Sequence, residues 1–313
     1  MTPSPTDWVP SGAWLAPGYA EWAPPEALRG AVACLWVSIT PEAADQAGQA
    51  DRADETDQPA PTSPAARSGL VLPDACSDLI WEQGIGAYVA GPDTGPARPM
   101  IKAGTVIVGV RFRPSAGRQV LKTPLSEIAN QRVPLADLLP PAARRLPSAL
   151  DPEEAADRVL AITGALVVDG TPDPAMARAA VLLRDPAARA EAVAAEVGLS
   201  ERQFRRRSQA ASGYGPKTLQ RVLRFHRFVR LLDAAAGYAP SEPPAPGRAA
   251  PQASPAPYAP APGRATWPAP PDLAALAARV GYADQAHLTR ECSALSGLTP
   301  ARLVQVRRAG QQG

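Results

Sequence analysis

The side chains best equipped for chemistry in this 313-residue chain cluster twice in its C-terminal half. Arg202, Gln203, Arg205 and Arg206 lie together just after Ser200, and Gln285, His287, Thr289 and Arg290 lie together just after Asp284, an offset of 84 residues between Ser200 and Asp284. Arginine presents paired donors to guanine O6 and N7, glutamine matches adenine, and the threonine methyl meets thymine, so both clusters suit base edges in a major groove. His287 can add a hydrogen bond there and mild pH dependence. Catalysis is poorly served. The two histidines, His226 and His287, both lie in the C-terminal half, so the N-terminal half can build neither a histidine-rich metal centre nor a base for a serine or cysteine nucleophile. Cys34, Cys76 and Cys292 are too few and scattered for a disulfide framework or a four-cysteine zinc site. Gly84, Gly86 and Gly91 are spaced wrongly for a dinucleotide loop. No catalytic residue, metal ligand or cofactor is assigned, and the chain is not expected to be an enzyme.

The elements that must position these clusters repeat as well. With Ser200 placed over Asp284, Phe204 falls on Leu288, Arg206 on Arg290, Gly213 on Gly297 and Pro216 on Pro300. Upstream, Val193, Val197 and Gly198 correspond to Leu276, Val280 and Gly281 if the second turn is one residue longer. One helical unit occurs twice. In each, a first helix (Ala187–Val197; Leu273–Val280) ends at a glycine that permits a tight turn. Small Ala194 and Ala277 let a second helix cross closely, and Leu199 and Tyr282 anchor the turn. Ser200 and Asp284 then cap the second helix, with Phe204 and Leu288 facing inward. That is the physics of a helix-turn-helix. Between the units Pro216 suits the first turn of a helix Lys217–Ala235. On it Arg221, Arg224, Arg227 and Arg230 recur every third residue, a basic stripe expected to meet phosphates, while His226 is expected to pack or face phosphate.

The rest of the chain reads as an α+β protein: a β-rich, barrel-like N-terminal domain, a helical connector and an all-α C-terminal domain of two helix-turn-helix units. Residues 1–150 are expected to form the first, a sensor or regulatory domain with strands at Val32–Ile39, Leu70–Leu72, Leu79–Trp81, Ala87–Ala90 and Thr105–Phe112. Polar, acidic residues 41–68 read as a disordered insertion. Residues 151–184 form the connector, with helices over Glu153–Val168 and Pro174–Leu183. Residues 185–308 hold the two units, separated by a tether at 240–271 that contains 12 of the 38 prolines. The formal charge of +2 hides a division: −3 over residues 1–150, −4 over 151–180 and +9 over 181–313. Nine basic residues face one acid, Glu201, between 200 and 230, an electrostatic footprint for a polyanion. No apolar run approaches the ~20 residues of a membrane span, and with the sparse cysteines this predicts a cytoplasmic protein without membrane attachment.

These residues resemble the AraC-type (arabinose-operon regulator) family of bacterial transcription factors. The resemblance rests on Val193-Ala-Ala-Glu-Val-Gly-Leu-Ser-Glu-Arg-Gln-Phe-Arg-Arg with Gly213 and Pro216, and on Leu276-Ala-Ala-Arg-Val-Gly-Tyr-Ala-Asp-Gln-Ala-His-Leu-Thr-Arg with Gly297-Leu-Thr-Pro300. It implies recognition helices in adjacent major grooves of double-stranded DNA, carried by Ser200, Arg202, Arg205 and Arg206 in one unit and Gln285, His287, Thr289 and Arg290 in the other. It also implies RNA polymerase as a partner and a small-molecule effector of unknown identity. Tyr19, Leu28, Trp36, the segment Leu72–Leu79, Ala90-Gly-Pro92 and Gly109-Val-Arg-Phe112 resemble a sensor-type domain common beside this module in actinobacterial regulators. Four positions depart from the family pattern: Ser208 and Cys292 replace core aromatics, Leu303 a tyrosine, and Ala75 a glycine.

Trp36, Trp81 and Tyr88 are the aromatics that could line an effector pocket, although sheet interiors use the same residues. Two alternatives stand beside the regulator reading. A redox-responsive regulator would use Cys34 and Cys76. A DNA-repair enzyme carrying the same module would need a zinc-type cysteine cluster or a Pro-Cys-His motif, and neither occurs.

Overall fold

Strand alternation sorts the N-terminal side chains onto two faces of a sheet. The computed structural model describes residues 18–40, 66–68, 70–170, 173–235 and 271–309. Residues 41–65 of the expected insertion and 240–270 of the expected tether lie outside them. The strands β1 (Gly18–Trp22), β2 (Val32–Ile39), β4 (Ser77–Glu82), β5 (Gly86–Ala90), β7 (Val106–Phe112) and β8 (Arg132–Pro134) form one antiparallel sheet in the order β1-β2-β7-β4-β5-β8. A separate ribbon pairs β3 (Ala66–Ser68) with β6 (Met100–Lys102), so regular structure resumes inside the segment expected to be disordered. Leu70–Leu72, expected as a strand, supplies only an isolated bridge from Val71 to Ala97.

Leu35, Val37, Leu79, Trp81, Val89, Val108, Val110 and Phe112 occupy one sheet face and are buried. The helix α4 (Pro152–Val168) covers it with Ala155, Ala156, Val159, Ile162 and Leu166. The opposite face carries Trp36, Ile80, Ala90 and Ile107, with Cys34 and Tyr88 packed against them. Gly109 lies opposite both Trp36 and Ile80 in register, and a Cβ there would sit 2.1 Å from Trp36 Cε2. Gly109→Ala is therefore expected to destabilise the sheet by about 1–3 kcal/mol, measurable as a lowered urea midpoint.

The aromatic trio expected at a pocket does not converge. Trp81 is fully buried on the α4 side, its Nε1 donating to the Pro147 carbonyl at 2.9 Å. Trp36 and Tyr88 lie on the other face, where Trp36 Nε1 donates to Asp78 Oδ1 at 2.8 Å and the Tyr88 hydroxyl donates to Glu82 at 3.0 Å. The hairpin sets this division, because Trp81 pairs with Ala87 and Tyr88 pairs with Ile80.

The short helices α1 (Gly117–Leu121), α2 (Leu135–Leu138) and α3 (Pro140–Ala143) come between β7 and α4 in the chain. The helical half runs through α5 (Pro174–Leu182), α6 (Ala190–Glu196), α7 (Glu201–Ser212), α8 (Pro216–Ala235), α9 (Leu273–Val280), α10 (Gln285–Ser296) and α11 (Pro300–Ala309). The architecture is α+β, with the antiparallel sheet preceding the helices. Residues 151–184, expected as one connector, divide between two cores: α4 belongs to the sheet, whereas Met176, Ala179 and Leu183 join the helical cluster. The first helix of the first unit starts at Ala190 rather than Ala187, because the Asp185 side chain accepts from Ala187 N and closes a preceding turn.

One helical cluster draws on residues from Met176 to Leu232 and from Leu276 to Val304, with Phe225, Phe228 and Leu232 of α8 among them. Ala75 of the sheet domain is part of it. Its φ of 65° explains why a glycine suits that position, since a Cβ there costs about 1 kcal/mol.

Candidate nucleic-acid interface

The second helices of the two units, α7 and α10, start the same way. Ser200 Oγ accepts from Gln203 N at 3.3 Å, and Asp284 Oδ1 accepts from His287 N at 2.6 Å, each satisfying an otherwise orphaned N–H of the first turn. They also end the same way, at Gly213 (φ 78°) and Gly297 (φ 69°), left-handed caps that glycine adopts without a steric cost.

A second repeated device escapes the sequence reading. The Ser212 hydroxyl donates to the Ser208 carbonyl at 2.8 Å and accepts from Tyr214 N at 3.3 Å. The Ser296 hydroxyl donates to the Cys292 carbonyl at 2.6 Å and accepts from Leu298 N at 3.2 Å. Ser212 and Ser296 are both buried and stand at the same place in the two frames, so the offset of 84 residues could have found them. At Ser208, where an aromatic was expected, the hydroxyl donates to the Tyr214 carbonyl at 2.8 Å, so the smaller side chain is satisfied. Cys292 and Leu303 are fully buried in the same helical core.

Arg202, Arg205 and Arg206 project from α7, and Gln285 and Arg290 from α10; all five are exposed. None of the four arginines makes an ion pair among the described residues. The other expected base readers hold hydrogen bonds within the protein, Gln203 while remaining exposed. Gln203 completes a capping box, its Oε1 accepting from Ser200 N at 3.0 Å. His287 accepts from Ala283 N through Nδ1 at 3.4 Å and packs edge-on against Tyr282, with ring centroids 5.1 Å apart. Thr289 donates to the Gln285 carbonyl at 2.8 Å.

The arginine stripe also divides. Arg227 and Arg230 are exposed on α8 and make no ion pair among the described residues. Arg221 Nε instead donates to Glu291 of α10, at 2.9 Å to Oε2. Arg224 lies 5.6 Å from the Tyr282 ring centroid and donates through Nη2 to the Pro186 carbonyl at 3.4 Å. A spacing of three put all four on one helix, but the neighbours across the packed side differ. His226 is half-buried on the same helix.

The first unit is docked onto the rest of the protein. The Arg207 guanidinium of α7 donates to Asp173, the N-cap of α5, with Nε 3.1 Å from Oδ2. The buried Tyr214 hydroxyl donates to the Asp93 carbonyl, and Asp93 pairs with Arg132 of β8 at 2.6 Å. Burial alone would raise the Asp173 carboxyl, but hydrogen bonds from Arg207 and the Met176 and Ala175 N–H groups hold it below the ordinary carboxylate range. A carboxylate held lower in the folded state stabilises it above an unfolded pKa of about 3.9, and that contribution is lost as pH falls through the folded value. Asp173→Asn is expected to remove this acid limb, checked by urea unfolding of both proteins from pH 6 down to about pH 2.

Among known protein families, a model described as a domain of unknown function (DUF6597) matches residues 20–134, from β1 to the end of β8. Among solved structures, ToxT from Vibrio cholerae O395 is similar over 77% of this chain and 94% of its own, at 10% identity and a TM-score of 0.38. An apo ToxT variant from Vibrio cholerae strain SCE256 is similar over 77% and 92%, at 10% identity and a TM-score of 0.37. No curated protein sequence matches the chain. No helix among the described residues is long and apolar enough to cross a membrane.

Proposed function

We propose that this chain is a sequence-specific, AraC-type regulator of transcription. Its two helix-turn-helix units, at 185–308, set α7 and α10 into adjacent major grooves of double-stranded DNA. The N-terminal domain, residues 1–150, modulates them. The observation that carries this reading is the twofold construction of one unit: side-chain cap, left-handed glycine and buried serine lock recur in register, and both second helices present exposed, unpaired arginines. Arg202, Arg205, Arg206, Gln285 and Arg290 are assigned to base edges, with Arg227 and Arg230 to phosphates. Ser200, Gln203, His287 and Thr289 shape the helix starts that aim them. RNA polymerase and a small effector acting on the sheet domain complete the regulatory reading.

The redox alternative is weakened by the thiols themselves. Burial pushes Cys34 up to about 12 and Cys76 well above the ordinary range, so neither supplies a thiolate near neutral pH.

Capture of genomic fragments by the purified full chain, followed by binding in graded salt, tests the proposal. A shared site of about two helical turns, with affinity falling steeply as salt rises, is the expected result. Capture of fragments with no common sequence would exclude it.

A further inference from the structure

Arg221 and Arg224, expected from their spacing to meet phosphates, make contacts within the protein. Both lie on α8, the helix between the units, and both reach the second unit. Arg221 Nε donates to both Glu291 carboxylate oxygens, at 3.2 and 2.9 Å, and Glu291 lies on α10, the recognition helix itself. The Glu291 side chain is 15% exposed against 44% for Arg221, so the carboxylate is the enclosed partner and the arginine closes over it.

One turn along, Arg224 joins three segments. Its guanidinium faces the ring of Tyr282, the turn residue of the second unit, and donates to the carbonyl of Pro186, which leads into the first. Arg224 Nε is buried without a hydrogen-bond partner among the described residues, so that edge of the guanidinium is out of solvent. Pro186 in turn lies against the Gly281 turn. A Cβ on Gly281 would come within 2.3 Å of Pro186 Cβ, and φ there is 84°. The two units therefore meet directly at Pro186 and Gly281, with Arg224 above the contact and Arg221–Glu291 beside it.

We propose that Arg221 and Arg224 are positioning residues that lock α10 at one rotation and distance relative to α7, and so set the spacing of the two half-sites the protein accepts. This rests on the DNA-binding reading above. A partly solvated ion pair contributes little net stability, so what this one supplies is a fixed geometry between α8 and α10. Each base pair inserted between half-sites turns the second groove by about 35°, so a locked α10 rejects an insertion that a loose one tolerates.

Full-length protein, with spin labels introduced through an unnatural keto amino acid at exposed Gln209 and Ser293, gives the separation of the two recognition helices without DNA. Arg221→Gln and Glu291→Gln are each expected to broaden the single narrow distance of the parent. The charge-exchanged double variant, Arg221→Glu with Glu291→Arg, restores it. On duplexes carrying both half-sites each single variant loses about tenfold in affinity and discriminates less against one-base-pair insertions, while binding to an isolated half-site is unchanged.

A phosphate-binding Arg221 gives a different pattern. Arg221→Gln then lowers the salt slope by about one, Glu291→Gln tightens binding by removing a negative charge, and the label distance stays narrow. That result overturns the proposal. Broadened distances with no specific duplex captured uphold the positioning and overturn the DNA-binding reading instead.

Discussion

Replacing Arg206 and Arg290 together with alanine is expected to cost about 2–6 kcal/mol of specific binding, roughly a 30-fold to more than 10⁴-fold loss of affinity. Each arginine stands six residues past its helix cap, exposed and without an ion-pair partner among the described residues. Each is therefore expected to contribute about 1–3 kcal/mol, the range of one good contact to a guanine edge. The two side chains sit on different helices and share no partner, so their losses should add. Non-specific binding should persist, because Arg227 and Arg230 remain to meet phosphates. Titration of each single variant and the double variant against a captured duplex and a scrambled one separates the two effects. Equal losses on both duplexes would mean that these arginines meet only the backbone.

Phe204→Ala is expected to produce the largest loss of stability, about 3–5 kcal/mol. Phe204 is 1% exposed and belongs to the cluster that unites α5, both units and α8. Removal of the ring leaves a cavity that the rigid capping box and glycine cap at either end of α7 cannot close. Leu288→Ala, at the same place in the second unit, should cost about 2–5 kcal/mol. Because one continuous core joins the units, either loss should shift a single unfolding transition of the helical half. Urea unfolding followed by circular dichroism reads both. Two separated transitions in Phe204→Ala would show instead that the units unfold independently.

The repeat was legible because its punctuation is local: a cap oxygen, a left-handed glycine and a first-turn proline each answer to neighbours within one turn. The strands were legible for the same reason, since alternation is a property of consecutive residues. What lay across a packed surface was not. Arg221 and Arg227 look alike in the helical pattern, and only the arrival of Glu291, 70 residues away from Arg221, separates an ion-paired arginine from one without an ion pair among the described residues. Trp36 and Trp81 are both plausible pocket aromatics until strand register puts them on opposite faces. Two signals were within reach. Ser200 and Gln203 have the spacing of a capping box, which already commits the glutamine to the helix start. The serine locks at 212 and 296 repeat with the same offset as the caps.

The central claim is that two like units of one chain read two adjacent grooves. Guanine-methylation interference on a captured duplex tests it most directly, using the full-length protein and the Arg206→Ala and Arg290→Ala variants. The account predicts two interfering segments about one helical turn apart on one face of the DNA, the first lost with Arg206→Ala and the second with Arg290→Ala. A single interfering segment, or two segments that survive both substitutions, would contradict it.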